Sequence, residues 1–249
     1  MRIIPVIDLM KGEVVQAIRG DRANYRPVQS VLACDAQPLS VARALQDATG
    51  CDEFYIADLD AIMGGQPQWN VVREMAGAIK AKLSLDAAIA DAAKAMMAIE
   101  AGAERAIVCS ETLQDLDESR AIRGALPAER LLFSIDVVKG RVRSRCPALH
   151  DADPLAALDL MARQGWSQFI ILTLDLVGAG GGPAWTLLEE AGIRFPELSI
   201  IAGGGVRTSQ DLQRLASMNV SGVLIATSLH RGWITPQDLR QIAFKTGRG

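Results

Sequence analysis

Eight short apolar runs rich in Val and Ile recur along the chain, at 3–8, 53–60, 81–87, 106–110, 131–136, 169–175, 198–205 and 222–228. A parallel strand covered on both faces reads as a continuous apolar run, so each of these is expected to be a buried parallel strand. Ala- and Leu-rich stretches at helical spacing stand between them, such as SVARALQDATG, PLAALDLMARQG and TSQDLQRLASMN, each with a cap or a Gly or Asn stop. Eight β-α units in 249 residues match the size of an α/β fold of the (β/α)8 TIM barrel type. No linker or low-complexity segment interrupts the series, so one domain over 1–249 is expected. One period is irregular: after Asp8, KGEVVQAIRGD is expected to form a hairpin loop before the first helix.

Composition narrows the partners. A net charge of −3 with scattered basic residues offers no long-range attraction to nucleic acid or an anionic membrane, so neither is expected as a partner. Four cysteines without Cys-x-x-Cys spacing and only two histidines, His150 and His230, argue against a metal site and for a reduced, cytoplasmic setting. No signal-peptide pattern precedes the first strand, no apolar run approaches membrane length, and no cofactor is expected. The oligomeric state stays open.

The stretch VIDLMKGEVV returns as SIDVVKGRVR, placing Asp8 and Asp136 128 residues apart. Phe54, Ile56 and Asp60 match Phe169, Ile171 and Asp175 at a spacing of 115, and from Asp86 to Thr112 an ungapped offset of 117 aligns strands three and four with seven and eight. Two similar half-barrels, about 1–125 and 126–249, are therefore expected to build one site.

Residues that end barrel strands point into the mouth, where active sites of this fold lie. Asp8 and Asp136 would face each other there as a general acid and a general base, while the competing reading makes each a cap on its Lys-Gly turn. The run IIAGGGVRTSQDL brings a strand into Gly203, Gly204 and Gly205 and then a helix, an arrangement in which backbone N–H groups can approach an anion. With Ala226 and Thr227 on the next strand it forms a candidate phosphate cradle, the competing reading being a tight turn. Cys109 lacks a neighbouring His and is read as a small buried residue, and the four tryptophans as helix packing.

These motifs, together with IADLDAIMGG, GGGP and GVLIATSLHRG, resemble the histidine-pathway barrels over essentially the whole chain. That pair comprises the isomerase acting by an Amadori rearrangement on a phosphoribosylformimino-aminoimidazole carboxamide ribotide, and the cyclase subunit of imidazole glycerol phosphate synthase. The resemblance implies acid and base roles for Asp8 and Asp136 and a substrate with two phosphates, one held by each half-barrel. It implies a third functional acid in the strand-six loop, where only Asp175 is available. It also carries over Arg19, Asp58, Asp86, Arg145 and Thr173 as substrate-binding candidates, with a structural alternative for Asp58 and Asp60.

Several positions depart from the family pattern. Where a second Gly-Gly-Gly run belongs on strand three, the chain reads LDAAIAD, which sets Asp86, Ala87 and Ala88 opposite the three glycines, and Glu111 adds an acid on strand four. Like charge would repel a phosphate there. Cys146-Pro147 follows Arg145 where the isomerase has Gly-Trp. The expectation is therefore an acid–base isomerase or lyase acting on a small phosphorylated metabolite with one phosphate and an amine or hydroxyl at its other end. Relatives outside the histidine pathway, some tied to one-carbon cofactor biosynthesis, are where these departures would place the chain. The histidine-pathway isomerase itself and a non-catalytic phosphometabolite-binding paralogue are the alternatives.

Overall fold

The computed structural model describes residues 1–245, in which eight parallel strands close on themselves. The strands are β1 (Arg2–Met10), β2 (Glu53–Asp58), β3 (Lys82–Asp86), β4 (Arg105–Cys109), β5 (Leu131–Val138), β6 (Gln168–Thr173), β7 (Ser199–Gly203) and β8 (Gly222–Ile225). Each pairs with its successor, and β1 returns to β8 through the register Ile3↔Val223 and Pro5↔Ile225. The fold is a (β/α)8 TIM barrel. Its outer layer consists of α1 (Pro38–Thr49), α2 (Trp69–Ala78), α3 (Ala92–Glu100), α4 (Leu116–Ala125), α5 (Pro154–Arg163), α6 (Trp185–Arg194), α7 (Ser209–Ala216) and α8 (Pro236–Lys245). None of the described helices is long and apolar enough to cross a membrane.

Local chemistry explains the boundaries. Gly50 ends α1 in the left-handed conformation at φ 63°, and Thr208 opens α7 in a capping box with Asp211. Six strands stop short of the ends of their apolar runs, β3 and β4 by one residue each. β2, β6 and β8 give way to single turns at Leu59–Ile62, Leu174–Leu176 and Thr227–His230, and β7 ends at Gly203, where the chain turns outward at the mouth. The repeated Lys-Gly pair proves to be the centre of two hairpins. Lys11 and Gly12 have φ of 53° and 79°, Lys139 and Gly140 have 50° and 75°, and a type I′ turn requires both central residues in that left-handed region. The arms pair Met10 with Glu13 and Val138 with Arg141. The irregular period after Asp8 is thus a hairpin, as its sequence indicates.

The interior is filled by fully buried large side chains, among them Phe54, Phe133 and Phe169, with Phe133 edge-on to Phe169 at 6.3 Å and tilted against Trp166 at 5.1 Å. At the N-terminal end, Glu53 opens β2 only 4% exposed and pairs with both Arg2 (2.8 Å) and the buried Arg105. Removing the carboxylate would leave the Arg105 guanidinium buried without its counter-ion. We expect Glu53→Ala to lose about 3–5 kcal/mol of stability and to lower the melting temperature by roughly 10 °C, as read by thermal denaturation followed by circular dichroism.

Candidate active site

The mouth of the barrel holds a cavity of about 950 Å3, including its open entrance. Four carboxylates line it: Asp8 from β1, Asp86 from β3, Glu111 after β4 and Asp136 from β5. Alternation along each strand sends these side chains inward, because Ile7 and Leu9, and likewise Ile135 and Val137, fill the layer against the helices. The turn-capping reading of Asp8 and Asp136 is therefore set aside. The Lys-Gly turn lies beyond them, and Asp60 and Gln68 receive its N–H groups, at 2.8 Å from Lys11 and 2.9 Å from Gly12.

Burial dominates the electrostatics. It pushes Asp8 up to about 7, with the Arg22 guanidinium opposing and Asp86 adding to the rise. Asp136 also rises to about 7, through burial first; the Ser134 hydroxyl, donating at 2.8 Å, works against this, and Asp86 and Glu111 reinforce it. Asp86 reaches about 6, raised by burial and held back by the Cys109 thiol, which donates at 3.0 Å, and by the Ala88 N–H at 3.1 Å. Asp86 is thus the acid that couples to both of the others. Tyr55 adds a hydroxyl at 3.4 Å from Asp86, and burial raises the Cys109 thiol well above its ordinary range, so it serves as a donor and not a nucleophile.

The two strand-one and strand-five acids differ in their partners. Asp136 accepts from Ser134 Oγ and, at 3.2 Å, from the Glu111 N–H. No hydrogen bond among the described residues reaches the Asp8 carboxyl, and Arg22 acts on it only through its charge. Donors favour the ionised form, so Asp136 suits a base and Asp8 an acid.

Across the mouth, Gly204, Gly205, Val206, Ala226 and Thr227 line the cavity, with Gly203 buried just below them. The glycines have a structural reason as well as a candidate binding role. A Cβ on Gly204, at φ 97°, would meet the Thr173 carbonyl at 2.5 Å, and one on Gly205, at φ 85°, the Gly182 carbonyl at 2.0 Å. The tight-turn reading is therefore part of the answer. The N–H groups of Gly205 and Val206 nevertheless take part in no hydrogen bond among the described residues, and the buried Ser228 Oγ beside Thr227 has no partner. Trp233, 43% exposed and stacked under Arg207 at 5.2 Å, lines the same end, so one of the four tryptophans is a wall of the cavity rather than helix packing.

Several sequence candidates fall elsewhere. Asp58 is fully buried and binds the Ala61 N–H at 3.1 Å and the Gln68 N–H at 2.5 Å, a cap that holds the turn after β2 and leaves no oxygen for a substrate. Arg145 and Arg19 are exposed and do not line the cavity. Thr173 lends its backbone to the glycine contact and is not a lining residue. Asp175 sits in the turn after β6, also outside the lining, with Oδ1 buried and unpartnered. The arginine that does enter is Arg22, three residues beyond Arg19: its two Nη atoms meet the two oxygens of Glu111 at 2.8 and 2.7 Å. Arg143 reaches Glu111 Oε1 at 3.1 Å, a contact Arg145 does not make. Arg22 and Tyr55 carried no signal in the sequence beyond residue type, because a loop and a mid-strand position respectively had to be folded before either met the cavity.

A family model described as "Histidine biosynthesis protein" matches residues 2–235. The chain belongs to that family. An uncharacterised protein of Methanocaldococcus jannaschii is 28% identical over 247 residues, covering 99% of this chain and 100% of that protein. The 1-(5-phosphoribosyl)-5-((5-phosphoribosylamino)methylideneamino) imidazole-4-carboxamide isomerase of Cenarchaeum symbiosum is 26% identical over 238 residues, covering 94% and 97%. The isomerase of the same name from Listeria monocytogenes is 28% identical over 247 residues, covering 97% and 98%. Within this histidine biosynthesis family, the acid-lined mouth of the present chain is the feature to be tested.

In the unfolded chain Asp8 releases its proton near 3.8, whereas in the barrel it keeps it to about 7, so its burial costs stability progressively as pH rises between those values. Asp8→Asn removes that cost. Urea denaturation at pH 4 and pH 8 should show the variant gaining on the wild type by up to about 4 kcal/mol over that interval, and a pH-independent difference would refute the raised pKa.

Proposed function

We propose that the chain is an acid–base isomerase acting on a small sugar-amine metabolite that carries one phosphate. The observation that carries this reading is the arrangement of the cavity: Asp8 and Asp136, both shifted to about 7, share it with a glycine-rich rim whose amides are free for an anion. Groups with pKa values near neutrality serve as acid and base at neutral pH. Asp8, protonated, gives a proton to the ring oxygen of a glycosylamine and opens it to an iminium. Asp136, ionised, takes the proton from the adjacent carbon, and the enolamine that results tautomerises to the ketone. The phosphate sits at Gly204, Gly205 and Thr227, and the amine end lies toward Asp86, whose charge favours a cation or donor.

One phosphate is proposed because the rim at β3 and β4 presents Asp86 and Glu111 instead of open amides. A second reading, the imidazole carboxamide isomerase of histidine biosynthesis, is favoured by the names of the relatives, whose compound carries two phosphoribosyl groups. A place in one-carbon cofactor biosynthesis belongs to the first reading only. Two measurements separate them. Calorimetric titration with inorganic phosphate should find one site per chain, and the chain should fail to restore growth to an auxotroph lacking the histidine-pathway isomerase; two sites together with rescue would establish the second reading. Asp136→Asn should keep the phosphate site while losing about 100-fold or more in turnover of whichever substrate is accepted, and loss of phosphate binding in the same variant would show that the residue acts on the anion instead.

A further inference from the structure

After β3 and β7, and again after β4 and β8, the two halves of the barrel repeat the same helix-cap and turn hydrogen bonds. Asp91 caps α3 by accepting from the Lys94 N–H, and Thr208, 117 residues on, caps α7 by accepting from the Asp211 N–H. After β4 the N–H groups of Thr112 and Leu113 donate to the Cys109 carbonyl, and after β8 those of Leu229 and His230 donate to the Ala226 carbonyl, again 117 apart. Ala88 even keeps the positive φ, 53°, of its counterpart Gly205, 85°. On that register Glu111 stands where Ser228 stands beside the glycine rim.

We infer that the Glu111 carboxylate is a built-in anion filling the second half-barrel's phosphate position, and that it is the residue restricting this barrel to ligands with one phosphate. The inference rests on the reading of the cavity given under the proposed function. Arg22 meets Glu111 fork to fork and Arg143 adds a third contact, with Glu111 itself only 9% exposed. Two guanidiniums converging on one oxyanion is how a protein also holds a phosphate, since both anions accept the same paired N–H groups. Two backbone amides on this side are spent as well: Ala88 N–H donates to Asp86 and Glu111 N–H donates to Asp136, while Ile89 N–H, the counterpart of Val206, makes no hydrogen bond among the described residues. A ligand phosphate would therefore have to displace a carboxylate that already satisfies both arginines. The same ion pair ties the loop carrying Arg22 across the mouth to β4, so specificity and closure of that loop share one residue.

Glu111→Ser installs the counterpart side chain and frees Arg22 and Arg143. Calorimetric titration with inorganic phosphate should then rise from one site in the wild type to two in the variant, and affinity for ribulose 1,5-bisphosphate should increase by about tenfold or more. Adding Arg22→Met to the variant should return the count to one. If the variant is poorly folded, inorganic phosphate should raise its melting temperature well beyond the increase seen in the wild type, because it supplies the missing anion; absence of that rescue overturns the inference. One site in both proteins overturns it too, while leaving the monophosphate reading intact. Two sites in the wild type, or none, would overturn the monophosphate reading itself.

Discussion

Closure of β1 onto β8 is the contact on which every other feature depends. Parallel strands offer no hairpin to hold them, and an open sheet would leave two edges of unpaired N–H and C=O groups. With Ile3 against Val223 and Asp8 beside Ala57, the ring is complete, and the ends of all eight strands converge on one mouth. Residues as far apart in sequence as Ile3 and Val223 become neighbours only through that closure. It also dries the floor of the mouth, since Ser84 and Ser134, two residues before Asp86 and Asp136 on the same inward face, are 1% and 0% exposed.

That dry floor gives the carboxylates their character. Asp8, Asp86 and Asp136 would be ordinary ionised acids on a surface, and burial raises all three into the range where protons are exchanged near neutrality. Arg22 and Arg143 engage Glu111 directly, so the fourth acid in the same mouth is matched by two guanidiniums. The site therefore divides into an acidic, proton-exchanging side and a glycine-lined side with free amides. On that division rests the proposal of a ligand with one anionic end and one amine or hydroxyl end.

Membership of the histidine biosynthesis family fixes the kind of barrel and leaves the substrate to the chemistry of the mouth. The isomerases among the relatives are named for a compound with two phosphoribosyl groups, and the repeat in the present chain sets two matching positions at its mouth, the rim after β3 and β4 and the rim after β7 and β8. In the present chain the two places are chemically unlike, although their backbones still match down to the caps of α3 and α7. The difference between the two rims is carried by side chains, Asp86, Ala88 and Glu111 against Gly203, Gly205 and Ser228, between matching turns and caps.

Much was legible beforehand. The eight apolar runs specify buried parallel strands because such strands carry no polar face, and the spacing of Asp8 from Asp136 specifies two like halves. Gly204 and Gly205 were legible as special positions, although the structure shows that neighbouring carbonyls demand them as much as any ligand would. The ends of β2, β6 and β8 were read too long, since an apolar run does not reveal where the chain leaves the ladder for a single turn. The choice among loop residues was not legible: Arg19 and Arg22 differ only in which of them the 3-10 turn at Arg22–Asn24 brings over the mouth, and Arg143 and Arg145 only in the path of the chain beyond their hairpin. Asp58 and Asp86 both end strands, yet one spends its oxygens on backbone N–H groups and the other faces the cavity. Pattern and period fix which segments pair and which faces are buried, because those follow from hydrophobicity along the chain. Partners among charged side chains are fixed only by tertiary geometry, because electrostatic contacts depend on distances of a few ångströms between residues far apart in sequence.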